Sequence, residues 1–218
     1  MPDTIAHTRA HIASIGALLF ARQLTDSGGG NVSVRVEDKV CISPRYSGQK
    51  YLWALTPEDV MVVDLNGKIL EGKGELSRES HAHLSLHREF RDHGNSVIHC
   101  HPRHLLVFAA MARPMPPALE GTLKFGTIPV VDYAPAHSPV LAENVTNAIR
   151  GQEARIRKHA AACIAPWHGI FCMGKDLNAT FDAVERLDTN AYILLSGHVT
   201  DEHMNALQEA AKKWEKKA

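Results

Sequence analysis

Two hairpin signals inside the first seventy residues constrain this chain more than any other feature of it. Residues 31–36, Asn-Val-Ser-Val-Arg-Val, alternate polar and apolar side chains as a half-buried strand does, and residues 39–42 read as the partner strand across Glu37-Asp38. Residues 60–65 form an apolar run that turns at Asn66-Gly67 into residues 68–70, and this dipeptide suits the left-handed conformations of a two-residue hairpin loop. Hairpins join antiparallel neighbours, so a sheet begun this way is mostly antiparallel. Further strands are expected at 96–101, 127–131, 161–166 and 169–173. Helices are expected at 8–23, 77–90, 104–111, 139–150, 178–196 and 201–217, and a short helical start at 56–59, where threonine caps and proline takes the first helical position. In the helix at 77–90, Ala82, Leu86 and Phe90 recur every four residues. Strands gathered early, with helices interspersed, imply an α/β layered domain: a mostly antiparallel central sheet flanked by helices, in a single domain over residues 1–218.

Composition narrows the partners. Lysine plus arginine and aspartate plus glutamate number 24 each, a formal net charge of zero, so no basic stripe awaits a nucleic-acid backbone. The four cysteines form no CxxC pair in a chain too large to need disulfide staples, which fits a reducing, cytoplasmic setting. Residues 12–20 are apolar, but their flanks are not strongly basic and a helical pattern continues through Arg22, so they read as an amphipathic helix. No run reaches the roughly 18 apolar residues that span a membrane. Fourteen histidines stand out.

His99 and His101 fall at i and i+2 of an expected strand, where side chains share a face and two imidazoles can meet one metal. Cys100 between them points the other way and reads as a packing residue. A catalytic site needs a third ligand and an open position. His168, between apolar strand residues, supplies the candidate, with a core histidine bonded to backbone as the other reading. Ser77-Arg78-Glu79 opens a helix, where serine caps and a carboxylate favours the positive end of the dipole. Capping alone would account for it, but Glu79 shares a face with His83 at i+4, and a carboxylate beside a dication can serve as a base. Gly28 to Gly30 before Asn31, and Ser47-Gly48 after Ser43-Pro44-Arg45, are small-residue turns whose amides suit an anion, though singly each is an ordinary turn.

In order and spacing these residues resemble the class II aldolase/adducin family, which includes the fuculose-phosphate and rhamnulose-phosphate aldolases and ribulose-phosphate 4-epimerase. The likeness runs from about residue 8 to 196, through Gly30-Asn31 and Arg35, Ile42-Ser43-Pro44 with Ser47-Gly48, Ser77-Arg78-Glu79 with His83, His99-Cys100-His101, Tyr133-Ala134 and His168-Gly169. The resemblance implies one divalent metal per subunit on His99, His101 and His168, usually Zn2+, with Mn2+ or Co2+ as alternatives. It implies Glu79 as the base, and a phosphate against Asn31, Ser47, Gly48 and Ser77. It also implies a cytoplasmic homotetramer with the site at the subunit interface, acting on a small anionic substrate and on neither nucleic acid nor membrane.

Three departures bear on the substrate. Gly28 replaces a polar residue, the loop at 43–47 is longer than the family's tight turn, and Arg78 stands in place of a second serine. Arg45 and Arg78 thus add guanidinium groups able to clamp a phosphate or carboxylate. Counting without gaps from His101, Glu120 falls where family aldolases lend a tyrosine to a neighbour's metal, and the proline-rich residues 113–117 form a stiff connection able to project it. The expected activity is retro-aldol cleavage of a ketose phosphate through an enediolate. Decarboxylation of a hydroxy or aromatic acid, dehydration, or 4-epimerisation at the same site is the alternative. An adducin-type binding scaffold is the third reading, disfavoured because that branch lacks the metal histidines.

Overall fold

In the computed structural model, which describes residues 4–215, seven strands form one sheet: β1 (Asn31–Val36), β2 (Lys39–Ile42), β3 (Met61–Asp64), β4 (Ile69–Glu71), β5 (Ser96–Cys100), β6 (Ala160–Ala165) and β7 (Gly169–Gly174). Their order is β4-β3-β2-β1-β5-β7-β6, and every neighbouring pair is antiparallel. The long helices are α1 (Ile5–Ala21), α3 (Ser80–Glu89), α6 (Pro139–Ile149), α8 (Leu177–Leu195) and α9 (Asp201–Glu215). Shorter ones are α2 (Ser47–Tyr51), α4 (Leu105–Ala110), α5 (Glu120–Leu123) and α7 (Glu153–Lys158). The expected α/β layers around an antiparallel sheet are what the chain forms.

Alternation along the strands sets the layers. Val32, Val34, Ile98, Cys100 and Cys172 point to one side and pack with Ile12 and Leu19 of α1, Leu105 of α4, and Val184 and Leu187 of α8. Val97, Phe171 and Met173 point to the other, under Leu86 of α3 and Leu141 and Val145 of α6. Each fully buried side chain of this size stabilises by about 1.5–3 kcal/mol relative to exposure. All four cysteines are free and buried, and Cys100 is the packing residue expected. Among the described residues no helix is long and apolar enough to cross a membrane.

The β1–β5 register places the site. Asn31 pairs with His99 and Ser33 with Val97, and partners across a ladder share a face. Asn31, Ser33 and His99 therefore lie together on the side that α3 covers.

Several expected elements differ. Residues 127–131 are not a strand. Pro129 has no N–H to offer a ladder, so Ile128 makes one bridge to Met115 and Val130 another to Ile164. The helix expected at 77 begins at Ser80; Glu79 takes the cap position at φ −84°, ψ 1°, and Ser77 Oγ accepts a hydrogen bond from the Glu79 amide at 3.2 Å. The last helix runs Asp201–Glu215, and Lys216 and Lys217 lie outside the described residues.

Candidate metal centre

His99 sits near the end of β5, 1% exposed, stacked on Phe171 with ring centroids 4.3 Å apart. Its Nδ1 donates to the Ile170 carbonyl at 2.8 Å, which fixes the tautomer and leaves Nε2 as the free lone pair. His101 follows one residue beyond the strand. Its Nδ1 lies 3.3 Å from both oxygens of Asp26, and its Nε2 is buried without a hydrogen-bond partner among the described residues. His168 is delivered by the β6–β7 turn, where Trp167 adopts a left-handed φ of 57°. Ring centroids of His168 stand 4.6 Å from those of His99 and 5.7 Å from those of His101.

One ligand nitrogen from each of the three rings falls within 4.8 Å of the others. Two glycines permit this. A Cβ on Gly29 would stand 2.4 Å from His101 Cε1, and one on Gly169 would stand 2.6 Å from His101 Cδ2 and 2.7 Å from the Cys100 carbonyl. Burial, with the neighbouring imidazoles, holds the His99 pKa well below its usual value and, led again by burial, that of His168 at about 4. Both rings are neutral at physiological pH and ready to donate lone pairs. A buried, unpartnered nitrogen, tautomers fixed from behind and neutral imidazoles together fit a divalent metal of the zinc type.

The rings open on a cavity of about 280 Å³, which Asn31, Arg45, Ser47, Gly48, Ser77, Arg78 and Glu79 also line. Glu79 is 7% exposed, and its Oε1 lies 3.9 Å from His168 Nε2. Burial raises its pKa to about 7 against the opposing pull of a hydrogen bond from the His137 amide at 3.2 Å and of the Arg78 charge. Of the small donors, Ser77 Oγ donates to Asn31 Oδ1 at 3.0 Å and Ser47 Oγ to the Pro44 carbonyl at 2.7 Å. Arg45 pairs with Glu75 at 2.9 Å and lies over the Tyr46 ring. Arg78 is exposed and makes no ion pair among the described residues.

Residues 10–195 match the family described as Class II Aldolase and Adducin N-terminal domain. The chain belongs to the class II aldolase and adducin family. Among its relatives, an L-fuculose phosphate aldolase of Methanococcus maripaludis is 33% identical over 179 residues, 81% of this chain and 89% of the relative. A 3-oxo-tetronate 4-phosphate decarboxylase of Haemophilus influenzae is 26% identical over 92% of this chain and 96% of its own. Among solved structures, the L-fuculose-1-phosphate aldolase of Thermus thermophilus superposes with a TM-score of 0.70 at 29% identity, covering 87% of this chain and 94% of that one. The class II aldolase-type lyase expected from the sequence agrees with this membership, and the decarboxylase relative agrees with the alternative.

Sequence reasoning missed two residues of this family member's site, Asp26 and His137, and placed a third, His83, where the structure does not. Asp26 was not foreseen; besides facing His101, its Oδ1 accepts the amides of Gly28 and Gly29 at 2.8 and 3.1 Å. Those amides, expected to face an anion, are occupied by the chain's own carboxylate. Asp followed two residues later by glycine is an Asx-turn signal, and it was the only trace of this in the sequence. His137, which lines the cavity, left no trace. His83, expected beside Glu79, turns inward instead and meets Ser33 Oγ through Nδ1 at 2.7 Å. Glu120 is exposed in the first turn of α5, outside the cavity formed by its own chain. Asn190 of α8 ties that segment down, accepting from the Ala118 amide and Thr122 Oγ1 and donating to the Pro116 carbonyl, so residues 113–117 do not project as a free arm.

Proposed function

We propose that this chain holds one divalent metal, Zn2+ first and Mn2+ or Co2+ as alternatives, on His99, His101 and His168, and cleaves a ketose phosphate by retro-aldol chemistry. The observation that carries the reading is the convergence of three imidazole nitrogens beside Glu79, a carboxylate that burial poises near pH 7. When bound, the metal supplies Lewis-acid polarisation of the substrate carbonyl. Glu79 exchanges the proton at the carbon beside that carbonyl. Asn31, Ser47, Gly48 and Ser77 form the wall for the substrate's anion, and Arg45 and Arg78 reinforce it; the unpaired Arg78 guanidinium is the one free to grip two oxygens at once.

That arginine also favours the second reading. A guanidinium where small donors would suffice for phosphate suits a carboxylate, and a relative is named a decarboxylase, so decarboxylation, dehydration or 4-epimerisation at the same metal site is the alternative. The scaffold reading is set aside because the three histidines and Glu79 are all present. In this proposal the enzyme works in the cytoplasm, in keeping with four free buried cysteines, and as a homotetramer in which Glu120 reaches the cavity of a neighbouring copy.

Metal-loaded protein is tested against ketose 1-phosphates, a ketose 5-phosphate and hydroxy acids, with products identified. An aldehyde plus a hydroxyketone phosphate is the expected outcome, while carbon dioxide or an epimer would move the assignment to the second reading. Glu79→Gln should keep its metal and lose about 10²–10⁴-fold in turnover; a variant within about twofold of wild type reduces Glu79 to a helix cap.

A further inference from the structure

Retro-aldol cleavage needs two proton stations. One takes the hydroxyl proton from the carbon that becomes the aldehyde, and the other returns a proton to the carbon left behind. Glu79 can be one of them. Around the cavity, Arg45 and Arg78 stay charged and cannot exchange protons near neutrality. Tyr46 has its ring covered by Arg45 and Lys50. His137 remains.

Its placement is specific. The residue adopts a left-handed φ of 63°, a conformation that strains an ordinary side chain and persists where the surroundings impose it. They do so here: the Ser138 amide closes a turn on the Pro135 carbonyl, Ser138 Oγ caps α6 by accepting from the Leu141 amide, and Pro139 fills the first helical position. That geometry aims the His137 amide at Glu79 Oε1 and leaves its Nδ1 3.8 Å from the same oxygen, while the side chain stays 46% exposed toward the cavity. The groups facing the ring are Glu79, Arg78, Arg45 and His168.

We propose that His137 is a catalytic residue, the second proton station of the lyase, acting as a dyad with Glu79. The inference rests on the retro-aldol reading above. His137 Nε2, the ring nitrogen turned away from Glu79, takes the hydroxyl proton. The carbon–carbon bond breaks, the C–O bond becomes the aldehyde carbonyl, and the released electron pair enters the carbonyl side as an enediolate. Glu79, as the carboxylic acid, protonates that carbon and becomes a carboxylate. The imidazolium then passes its Nδ1 proton to Glu79 Oε1, so no net proton is consumed, and the half-exposed ring resets its tautomer through solvent.

The test uses His137→Asn, because asparagine tolerates a left-handed φ and keeps the amide that holds Glu79, and His137→Gly as a second variant. Metal-loaded proteins are followed by NMR in D2O. Deuterium exchange into dihydroxyacetone phosphate needs Glu79 alone, whereas cleavage of the ketose phosphate needs both stations. His137→Asn should exchange within about threefold of wild type and lose about 10²–10⁴-fold in cleavage, and added imidazole should restore cleavage to His137→Gly in proportion to its concentration. Exchange and cleavage falling together would reduce His137 to a support for Glu79 and overturn the proposal; so would a rise in KM at unchanged kcat. An active wild type with an unimpaired His137→Asn sinks this assignment only, while a wild type that performs neither reaction sinks the retro-aldol reading and the dyad with it.

Discussion

Two groups of histidines gather on one face of the sheet and do opposite things. His99, His101 and His168 each present a nitrogen to the cavity, and His99 and His101 give the other nitrogen to the protein, to the Ile170 carbonyl and to Asp26. His83 and His87, one turn apart on α3 and fully buried, both point at a single hydroxyl: Ser33 Oγ lies 2.7 Å from His83 Nδ1 and 2.8 Å from His87 Nε2. A hydroxyl has one proton, so it donates to one ring and accepts from the other, and the two tautomers are locked together. Spacing does not separate the groups, since i, i+2 on a strand and i, i+4 on a helix both put two rings on one face. The surroundings separate them: one pair faces an open cavity with a third ring across it, the other a strand.

The strongest way to break the comparison is to exchange the groups' roles. His168→Ala should lose bound metal on dialysis and lose activity with it, while His87→Phe should keep full metal content, measured by elemental analysis of purified protein. Equal metal loss in both would mean that the α3 pair belongs to the metal centre.

The difference between the groups also marks how far the sequence could be read. β1 and β2 were legible to the residue because a hairpin is local: alternation and turn chemistry lie within twelve residues. Residues 127–131 were not, because one proline outweighed four β-favouring neighbours. The short helices α2, α5 and α7 were missed for want of length, since four to six residues show no period. In the site, His99 and His101 were legible through strand parity, and His168 through its apolar flanks. Asp26 and His137 were not, for they become site residues only through partners 75 and 58 positions away in the chain. His137 depends in addition on a backbone conformation that its residue type does not announce.

A smaller effect sharpens the role of the outer contacts. Asp26→Asn keeps the size of the side chain but removes the charge facing His101 Nδ1 and weakens the acceptor for the Gly28 and Gly29 amides. Such outer partners are worth about 10–100-fold in metal affinity, so competition with a chelator should show a loss in that range with all three histidines intact. Unchanged affinity would show that His101 is held by packing against Gly29 and Gly169 alone.

The smallest expected effect concerns the closed pair, and it is visible only in acid. Burial lowers the His83 pKa to about 3, and that of His87 well below its usual value, with the His83 and Arg35 charges adding to the shift of the latter. Both groups are therefore unprotonated in the folded protein at pH values where the unfolded chain, titrating near 6.5, has already taken up protons. The unfolded state binds more protons, so stability is whole above about pH 6.5 and falls as pH drops below it, by about 1.4 kcal/mol per pH unit for each such histidine until its folded pKa is reached. In metal-free protein His99 and His168 add to the same slope, and bound metal would hold them deprotonated to lower pH and so extend it. His87→Phe removes one proton from the balance and leaves the metal centre alone. Urea unfolding of metal-free wild type and variant at pH 7 and pH 5 should show the variant losing less stability between the two, by roughly one proton's worth. An identical loss in both proteins would mean that His87 opens to solvent before the fold yields, and that the α3 pair is not sealed in the way its Ser33 contacts indicate.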